Sequence, residues 1–296
     1  GDSMHALDCF EQMQLDGVSP SCATFTSILK VCLSIPAIQK GYDIHSEIVK
    51  KGLETPVLLG NALVDMYVKH GLLFEARDVF DKFQFRTIIS WNTLISGYAD
   101  LEQFDGALLY FKEMRLAGVS PDVVTYVSIL KACGSTQDEL MGIQIHADVS
   151  RRGLVSMNLV LGSTLVDMYV KFGHLLKARE VFNVLPIRDV ILWNTLIGGY
   201  ATHECGKVLD CFNQMELEGL SPNSITFAHC LKACGSIINM EKGREIHGEI
   251  IKKGLLEEDQ IVSNALIGMY VKWGMLAEAQ EVFDKLLVRD VVSWTT

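Results

Sequence analysis

The amino-acid sequence predicts an all-α fold, a right-handed α-solenoid of stacked helix-turn-helix units. Long phrases return at a period of about 101 residues, since His45, His146 and His247 lie 101 residues apart. Apolar residues within these phrases recur at spacings of three and four, which is the spacing of one helix face. No segment alternates apolar and polar residues in the manner of a strand. Because helix pairs this short bury their apolar faces only against neighbours, the repeats are expected to stack into one array.

Each period divides into three kinds of unit, which we name after their phrases. Trp-type units begin with phrases such as SWNTLISGY, long units carry an Ile-His pair, and short units carry phrases such as VDMYVK. The expected single array over 1–296 comprises Trp-type units at 88–122 and 190–223, long units at 22–56, 123–158 and 224–259, short units at 57–87, 159–189 and 260–290, and partial Trp-type units at 1–21 and 291–296. The partial units predict a segment of a longer protein, whose exposed apolar end faces favour self-association.

Two helices are predicted in each unit, as the Trp-type unit at 88–122 illustrates. The stripe of its first helix comprises Trp91, Leu94, Ile95 and Tyr98. The stripe of its second helix comprises Ala107, Leu108, Phe111 and Met114. Gly118 fits a left-handed helix end, and Pro121 prevents continuation. In the short units the break between the two helices is expected at Gly71, Gly173 or Gly274.

The bulk composition excludes several classes of protein. Hydrophobic residues make up 49% of the chain, which argues against disorder. The net charge of −10 argues against binding of duplex DNA or of membranes through bulk positive charge, although it permits a local groove for one single strand. No apolar run is long enough for a transmembrane helix, and the first residues resemble neither a signal peptide nor a transit peptide. Cys32, Cys133 and Cys234, spaced by 101 residues, are expected to be buried free thiols.

No catalytic or metal-binding motif is complete in the sequence. His45-Ser46-Glu47 and His247-Gly248-Glu249 match the H-x-E of zinc deaminases, but no C-x-x-C accompanies them. Both matches also fall at one phase of the long units, which favours a structural role. Glycine-rich phosphate loops, G-x-S-x-G and H-E-x-x-H are likewise missing. We therefore expect no enzyme activity, no cofactor and no metal in this chain.

Three phrases together resemble the pentatricopeptide repeat family over essentially all 296 residues. They are ISWNTLISGYAD…EMRLAGVSPD, TYVSILKACGS…GIQIHADVSRRGL and GNALVDMYVKHG…ARDVFDKF. The alternating units, of 35, 36 and 31 residues in the middle period, resemble the P, L and S repeats of the plant PLS subclass. The phrase W-x2-L-G-x2-Y of tetratricopeptide repeats is missing.

The resemblance implies sequence-specific binding of single-stranded RNA, with each helical repeat reading one base through two or three side chains. It implies a recognition module of an organellar RNA-processing factor, in chloroplast or mitochondrion, and C-to-U RNA editing is the process we expect it to serve. A transit peptide is not in this chain, and any deaminase activity would lie in a C-terminal domain absent from it. The alternative is a protein–protein interaction scaffold of α-solenoid type.

In the family, an apolar second residue of each repeat sandwiches a base. The residues at this position are Leu58, Ile89, Val124, Val160, Ile191, Ile225, Ile261 and Val292. All are aliphatic, and a stiff apolar side chain can pack against any base. The alternative is that they belong to the hydrophobic core.

The fifth and last residues of a repeat jointly face one base in the family. These pairs are Asn61/Thr87, Asn92/Asp122, Ser163/Asp189, Asn194/Asn223 and Asn264/Asp290, with Thr295 at the fifth position of the last partial unit. Amides and hydroxyls can distinguish base edges. The alternatives are an N-cap role for the fifth residue and a turn role for the last.

Long units depart from this pattern, with the pairs Thr26/Pro56, Val127/Asn158 and Ala228/Asp259. Since Val127 and Ala228 have no polar side-chain group, the long units are expected to be spacers or contact surfaces for editing-factor proteins. The family's pairing rules assign U to Asn with Asp, C to Asn with Asn, and G to Ser with Asp. From residue 57 onward they imply pyrimidine-U-any-G-C-any-U, 5′ to 3′.

Three lysines recur at the thirteenth position of the short units: Lys69, Lys171 and Lys272. In the family this position can reach a phosphate. The alternative is a solvated lysine that favours a helix C-terminus.

Overall fold

The computed structural model describes residues 2–33, 38–53, 56–286 and 289–295. Within these ranges the chain is helical and contains no strand. The helices are α1 (Asp2–Leu15), α2 (Cys22–Cys32), α3 (Ile38–Lys50), α4 (Val57–Lys69), α5 (Leu73–Asp81), α6 (Ile88–Asp100), α7 (Phe104–Leu116), α8 (Val123–Thr136), α9 (Glu139–Arg151), α10 (Leu154–Met157), α11 (Leu159–Lys171), α12 (Leu175–Val184), α13 (Val190–His203), α14 (Val208–Leu217), α15 (Ser224–Ile237), α16 (Met240–Lys252), α17 (Leu255–Glu258), α18 (Gln260–Lys272), α19 (Leu276–Asp284) and α20 (Val291–Thr295). None of the described helices is long and apolar enough to cross a membrane.

Helices pair and stack within two compact units, Gly1–Ile145 and His146–Thr296. In the N-terminal unit, α2, α4, α6 and α8 pack side by side in chain order, and α5 and α7 each pack between two of them. In the C-terminal unit, the equivalent row is formed by α11, α13, α15, α18 and α20. The helices α12, α14, α16 and α19 each pack against helices of this row. The predicted all-α fold of stacked helical hairpins is confirmed. We call the helices of each row the first helices.

First helices begin at the same residues as the units predicted from the sequence: 22, 57, 88, 123, 159, 190, 224, 260 and 291. The four predicted glycines each lie two residues after the last residue of a helix. Gly71, Gly118, Gly173 and Gly274 all have φ between 73° and 76°, the left-handed conformation that only glycine adopts without strain.

Three units contain more than the predicted pair of helices. The long units at 123–158 and 224–259 contain an additional one-turn helix, α10 or α17, because Gly153 and Gly254 end the second helix several residues before the next unit. In the Trp-type unit at 190–223, a short 3₁₀ segment at 205–207 precedes α14, which has 10 residues where α7 has 13. The unit at 190–223 is one residue shorter than the Trp-type unit at 88–122, and its second helix is shorter as well.

The core of the two complete Trp-type units is centred on the recurring tryptophans. Trp91 and Trp193 are almost completely buried. Each ring meets a phenylalanine of the preceding helix edge-on, with centroids 4.9 Å apart for Phe80 and 4.5 Å for Phe182. Edge-to-face aromatic pairs of this kind stabilise a core by about 0.5–1.5 kcal/mol beyond area burial.

The histidines that recur at 101-residue spacing join neighbouring helices, and His45 Nδ1 lies 2.7 Å from the Tyr67 hydroxyl. His146 Nδ1 lies 2.7 Å from the Tyr169 hydroxyl, and His247 Nδ1 lies 2.7 Å from the Tyr270 hydroxyl. Burial lowers the pKa of both histidines, so both are neutral at pH 7. Their role in this arrangement is structural, as the repetition predicts.

The regularly spaced cysteines are buried and free, as predicted. Burial raises the pKa of the Cys133 thiol to about 12 and that of the Cys234 thiol to about 11. Thiols with such values are poor nucleophiles and pack as small apolar groups.

Candidate nucleic-acid interface

All eight aliphatic second residues lie on the surface. Their exposed fractions run from 47% at Ile225 to 74% at Ile191. The residue that follows each of them is buried instead, as Leu59, Leu192 and Val262 illustrate. The alternative that the second residues are core residues is therefore wrong. They form a recurring set of exposed apolar side chains at the start of the first helices.

Fifth residues lie inside the first turn and a half of the first helices. Asn92 is the fifth residue of α6, and Asn194 is the fifth residue of α13. The caps of these two helices are Thr87 and Asp189, which accept hydrogen bonds from the backbone amides of Ser90 and Leu192 at 3.3 and 2.8 Å. The N-cap interpretation of the fifth residues is wrong.

Capping is the task of the last residue of the preceding unit. Asp122 Oδ1 accepts the Thr125 amide of α8 at 3.0 Å, and Asn223 Oδ1 accepts the Thr226 amide of α15 at 3.1 Å. Asp290 likewise accepts the Ser293 amide of α20 at 2.7 Å. The last residues are considered as turn residues from the sequence, and the structure shows that these three cap the helix that follows. Hydrogen bonds from Ser293 lower the pKa of Asp290, which is ionised at pH 7.

Three of the five predicted pairs are in direct contact. Asn92 Nδ2 donates to both carboxylate oxygens of Asp122 at 3.0 Å. Asn194 Nδ2 donates to Asn223 Oδ1 at 2.9 Å. The distance from Asn264 Nδ2 to Asp290 Oδ1 is 3.4 Å. Adjacent first helices bring these residues together, since the cap of one helix lies beside the fifth residue of the helix before it.

The remaining polar positions make different contacts. Ser163 Oγ donates to the Leu159 carbonyl at 2.8 Å, so its hydroxyl proton is used within its own helix. Thr295 likewise donates to the Val291 carbonyl at 2.8 Å. Asn61 has a buried Oδ1 without a hydrogen-bond partner. The structure shows no side-chain bond between Asn61 and Thr87 or between Ser163 and Asp189.

Fifth residues of the long units offer little to a ligand. Thr26 is buried and donates to the Cys22 carbonyl at 2.8 Å. Val127 and Ala228 are partly buried and apolar. The last residues Asn158 and Asp259 cap α11 and α18.

Lysines at the thirteenth position end the first helices of the short units. Lys69, Lys171 and Lys272 are the last residues of α4, α11 and α18, and all three are exposed. Lys171 Nζ lies 2.9 Å from Asp167, and Lys272 donates to Ser236 at 3.1 Å. The positions fit both a phosphate contact and a solvated helix terminus.

One group of polar residues was not predicted for the site. The Thr125 and Thr226 hydroxyls donate to Asn92 Oδ1 and Asn194 Oδ1 at 2.6 and 2.7 Å. A signal for them exists in the sequence, because Thr24, Thr125 and Thr226 recur at 101-residue spacing just before an aromatic residue.

Known relatives match the chain over its whole length. A mitochondrial pentatricopeptide repeat-containing protein of Arabidopsis thaliana, At3g09040, is 36% identical over 296 residues, which is 100% of this chain and 29% of that protein. The chloroplastic At4g18520 and At4g25270 of the same plant and family are each 36% identical, over 99% and 91% of this chain and 48% and 51% of their own lengths. The chain thus spans between about a third and a half of these relatives.

Solved structures of the same fold include the crystal structure of the pentatricopeptide repeat protein PPR10 from maize. Its TM-score is 0.80 at 20% identity, covering 99% of this chain and 42% of that one. The crystal structure of PPR10 in complex with an 18-nt psaJ RNA element matches equally well, covering 100% of this chain and 44% of that one.

Family models match most of the repeats. The PPR repeat family model matches residues 86–135 and 188–236, the PPR repeat model matches 61–86, 163–189 and 261–291, and the pentatricopeptide repeat domain model matches 1–34. Together these matches cover well over half of the sequence. The chain therefore belongs to the pentatricopeptide repeat family.

Proposed function

We propose that this chain binds single-stranded RNA in a sequence-specific manner, as the recognition module of a plant organellar RNA-processing factor of the PLS subclass. C-to-U editing is the reaction that the module serves in this proposal. Catalysis would come from another domain or from a partner protein.

One observation carries the RNA-binding proposal: an exposed aliphatic side chain and a polar pair recur together at the start of the first helices. At the Trp-type unit 190–223, Ile191 is 74% exposed three residues before Asn194, which is hydrogen-bonded to Asn223. An exposed aliphatic side chain that recurs at one position offers apolar surface on which a base can pack. A base packed against Ile191 would place its edge near the polar pair, which can donate and accept.

The base that each unit is expected to bind follows from its pair of polar residues. The Asn92/Asp122 and Asn264/Asp290 pairs would select U, Ser163/Asp189 would select G, and Asn194/Asn223 would select C. The Asn61/Thr87 pair would select a pyrimidine. Since the long units supply no polar fifth residue at Val127 and Ala228, any base would be accepted at the RNA positions opposite these units.

The relatives support an organellar setting, because their names place them in mitochondria or chloroplasts. The maize protein of the same fold is described in complex with an RNA element. A stretch of RNA bound by adjacent repeats would mark one transcript position for processing.

A protein-interaction scaffold is the second candidate, and the apolar fifth residues of the long units favour it. Long units without base-reading groups could instead present a surface to an editing-factor protein. Both roles fit one chain, because the Trp-type and short units retain their polar pairs.

Selection from a random single-stranded RNA pool, at two salt concentrations, tests the proposal. We expect recovered sequences to share the core U-any-G-C. Higher salt should weaken binding to all sequences but leave the recovered motif unchanged, because base contacts rather than phosphate contacts carry the specificity. Recovery of no common motif would refute base reading and leave the scaffold interpretation.

A further inference from the structure

The two Trp-type sites contain a third polar side chain, the third residue of the following unit. The Thr125 hydroxyl donates to Asn92 Oδ1 at 2.6 Å, and the Thr226 hydroxyl donates to Asn194 Oδ1 at 2.7 Å. Both threonines are fully buried. The separation in sequence is 33 residues in one case and 32 in the other, so the contact joins two neighbouring first helices.

With these bonds, both ends of the asparagine amide are held. In the first site Asn92 Nδ2 donates to Asp122 while its Oδ1 accepts from Thr125. An amide carries two N–H donors and one carbonyl acceptor, and in this site Nδ2 and Oδ1 both have partners within the protein. Exchanging the two ends would set the Asn92 carbonyl against the Asp122 carboxylate, which is repulsive. Asp122 therefore selects one orientation of the amide, and the Thr125 hydroxyl adds a hydrogen bond to the Oδ1 end of that orientation.

Short-unit sites lack this third contact. Ser90 and Ser293 occupy the equivalent position, and their hydroxyls bond the capping residue of their own helix at 3.1 and 2.7 Å. Thr125 and Thr226 also bond their own capping residues, at 3.1 and 3.0 Å, but in addition reach the asparagine of the neighbouring helix. Asn61 and Asn264 consequently have buried Oδ1 atoms without any hydrogen-bond partner.

We propose that Thr125 and Thr226 are specificity-determining positioning residues of the RNA-binding surface. Each holds the Oδ1 end of one asparagine amide in place and thereby sets how strongly that site discriminates between bases. The inference rests on the proposed function, and it adds the third residue of the next unit to the pair that reads each base.

The chain offers an internal comparison, because Asn92/Asp122 and Asn264/Asp290 are the same pair with and without the threonine. Both sites are expected to select U. If the third residue sets the sharpness, the Asn92 site discriminates U from the other bases more strongly than the Asn264 site does. The expected difference is about three- to tenfold, the effect of one hydrogen bond.

Three variants separate this role from helix capping. Thr125→Val removes the hydroxyl, and Ser293→Thr supplies one to the Asn264 site. Thr24→Val is the matched control, because Thr24 forms the same capping box with Ser21 at 3.2 Å but has no fifth-position asparagine before it among the described residues. Affinities are measured for RNAs that carry each of the four bases at one site at a time.

We expect Thr125→Val to lower discrimination at the Asn92 base by about three- to tenfold and to leave the Asn194 base unchanged. Ser293→Thr should sharpen discrimination at the Asn264 base by a similar factor. Thr24→Val should lower stability without altering any base preference. If Thr125→Val fails to fold, Ser293→Thr decides the question alone.

Unchanged discrimination in both Thr125→Val and Ser293→Thr would overturn the inference while leaving the proposed function intact. A wild-type chain that prefers no base at either the Asn92 or the Asn194 site would overturn the proposed function, and the positioning role with it. The two failures are distinguished by the wild-type measurement.

Discussion

At the residue scale, the last side chain of a unit serves two purposes. Asp122 caps α8 and also accepts the amide of Asn92. An N-cap contributes about 1 kcal/mol to helix stability, so a polar residue is required there whether or not RNA binds. Recurrence of a polar last residue is therefore weak evidence of base reading, and the exposed second residues are stronger evidence.

The exposed aliphatic residues give a prediction at this scale. Ile191→Ala should weaken RNA binding by about 1–2 kcal/mol, because a branched side chain that packs on a base is shortened. The unfolding free energy should change by less than about 0.5 kcal/mol, since Ile191 is already 74% exposed. Affinity titration and urea unfolding measure the two effects.

Leu217→Ala is the matched control for Ile191→Ala. Leu217 is 87% exposed but ends α14, a second helix, away from the row of first helices. It should leave both affinity and stability unchanged. Equal loss of affinity in the two variants would show that the second residues have no special contact with RNA.

At the element scale, helices α13 and α14 are joined by a contact that α6 and α7 lack. Trp193 Nε1 donates to Glu218 at 3.1 Å, and Glu218 also pairs with Arg188 at 2.6 Å. Ala117 occupies the place of Glu218 in the other Trp-type unit, and Trp91 Nε1 is consequently buried without a partner. A buried donor left unpaired costs about 1–3 kcal/mol.

Ala117→Glu is therefore expected to raise the free energy of unfolding by about 1 kcal/mol, because it supplies the missing acceptor. Glu218→Ala should lower it by a similar amount. Urea unfolding measures both changes. A stabilised Glu218→Ala variant would contradict this account of the tryptophan contact.

At the scale of the whole molecule, the net charge of −10 limits how RNA can be bound. Few phosphates can be neutralised if Lys69, Lys171 and Lys272 are the principal contacts. For single strands, log K falls with log salt by about 0.7 per phosphate, which gives a slope of about −2 for three contacts.

Replacing all three lysines with glutamine should bring that slope close to zero without altering the preferred sequence. Affinity measured over a series of salt concentrations tests the expectation. A slope that is the same in the wild type and the triple variant would assign the lysines to solvated helix ends.

Sequence periodicity was sufficient to predict the helical hairpins and the residues at which the first helices begin. It left open whether residues such as Ile191 lie in the core or on the surface, because a helix start carries both kinds of apolar residue. The role of Thr125 depends on a contact with a residue 33 positions away, so the recurrence of threonine marks the position without identifying its partner. The capping role of Asp122 was missed because its turn context, Ser-Pro-Asp, explains a polar residue equally well.

The measurement that tests base reading most directly is the base preference of the Asn194→Thr variant. RNAs differing only at the base assigned to the Asn194/Asn223 pair are compared for the wild type and the variant. We predict that the preference moves from C to A at that base alone, with a cost of about 1–3 kcal/mol for the former C. An unchanged preference for C, in a variant as stable as the wild type, would contradict the assignment of Asn194 as a base-reading residue.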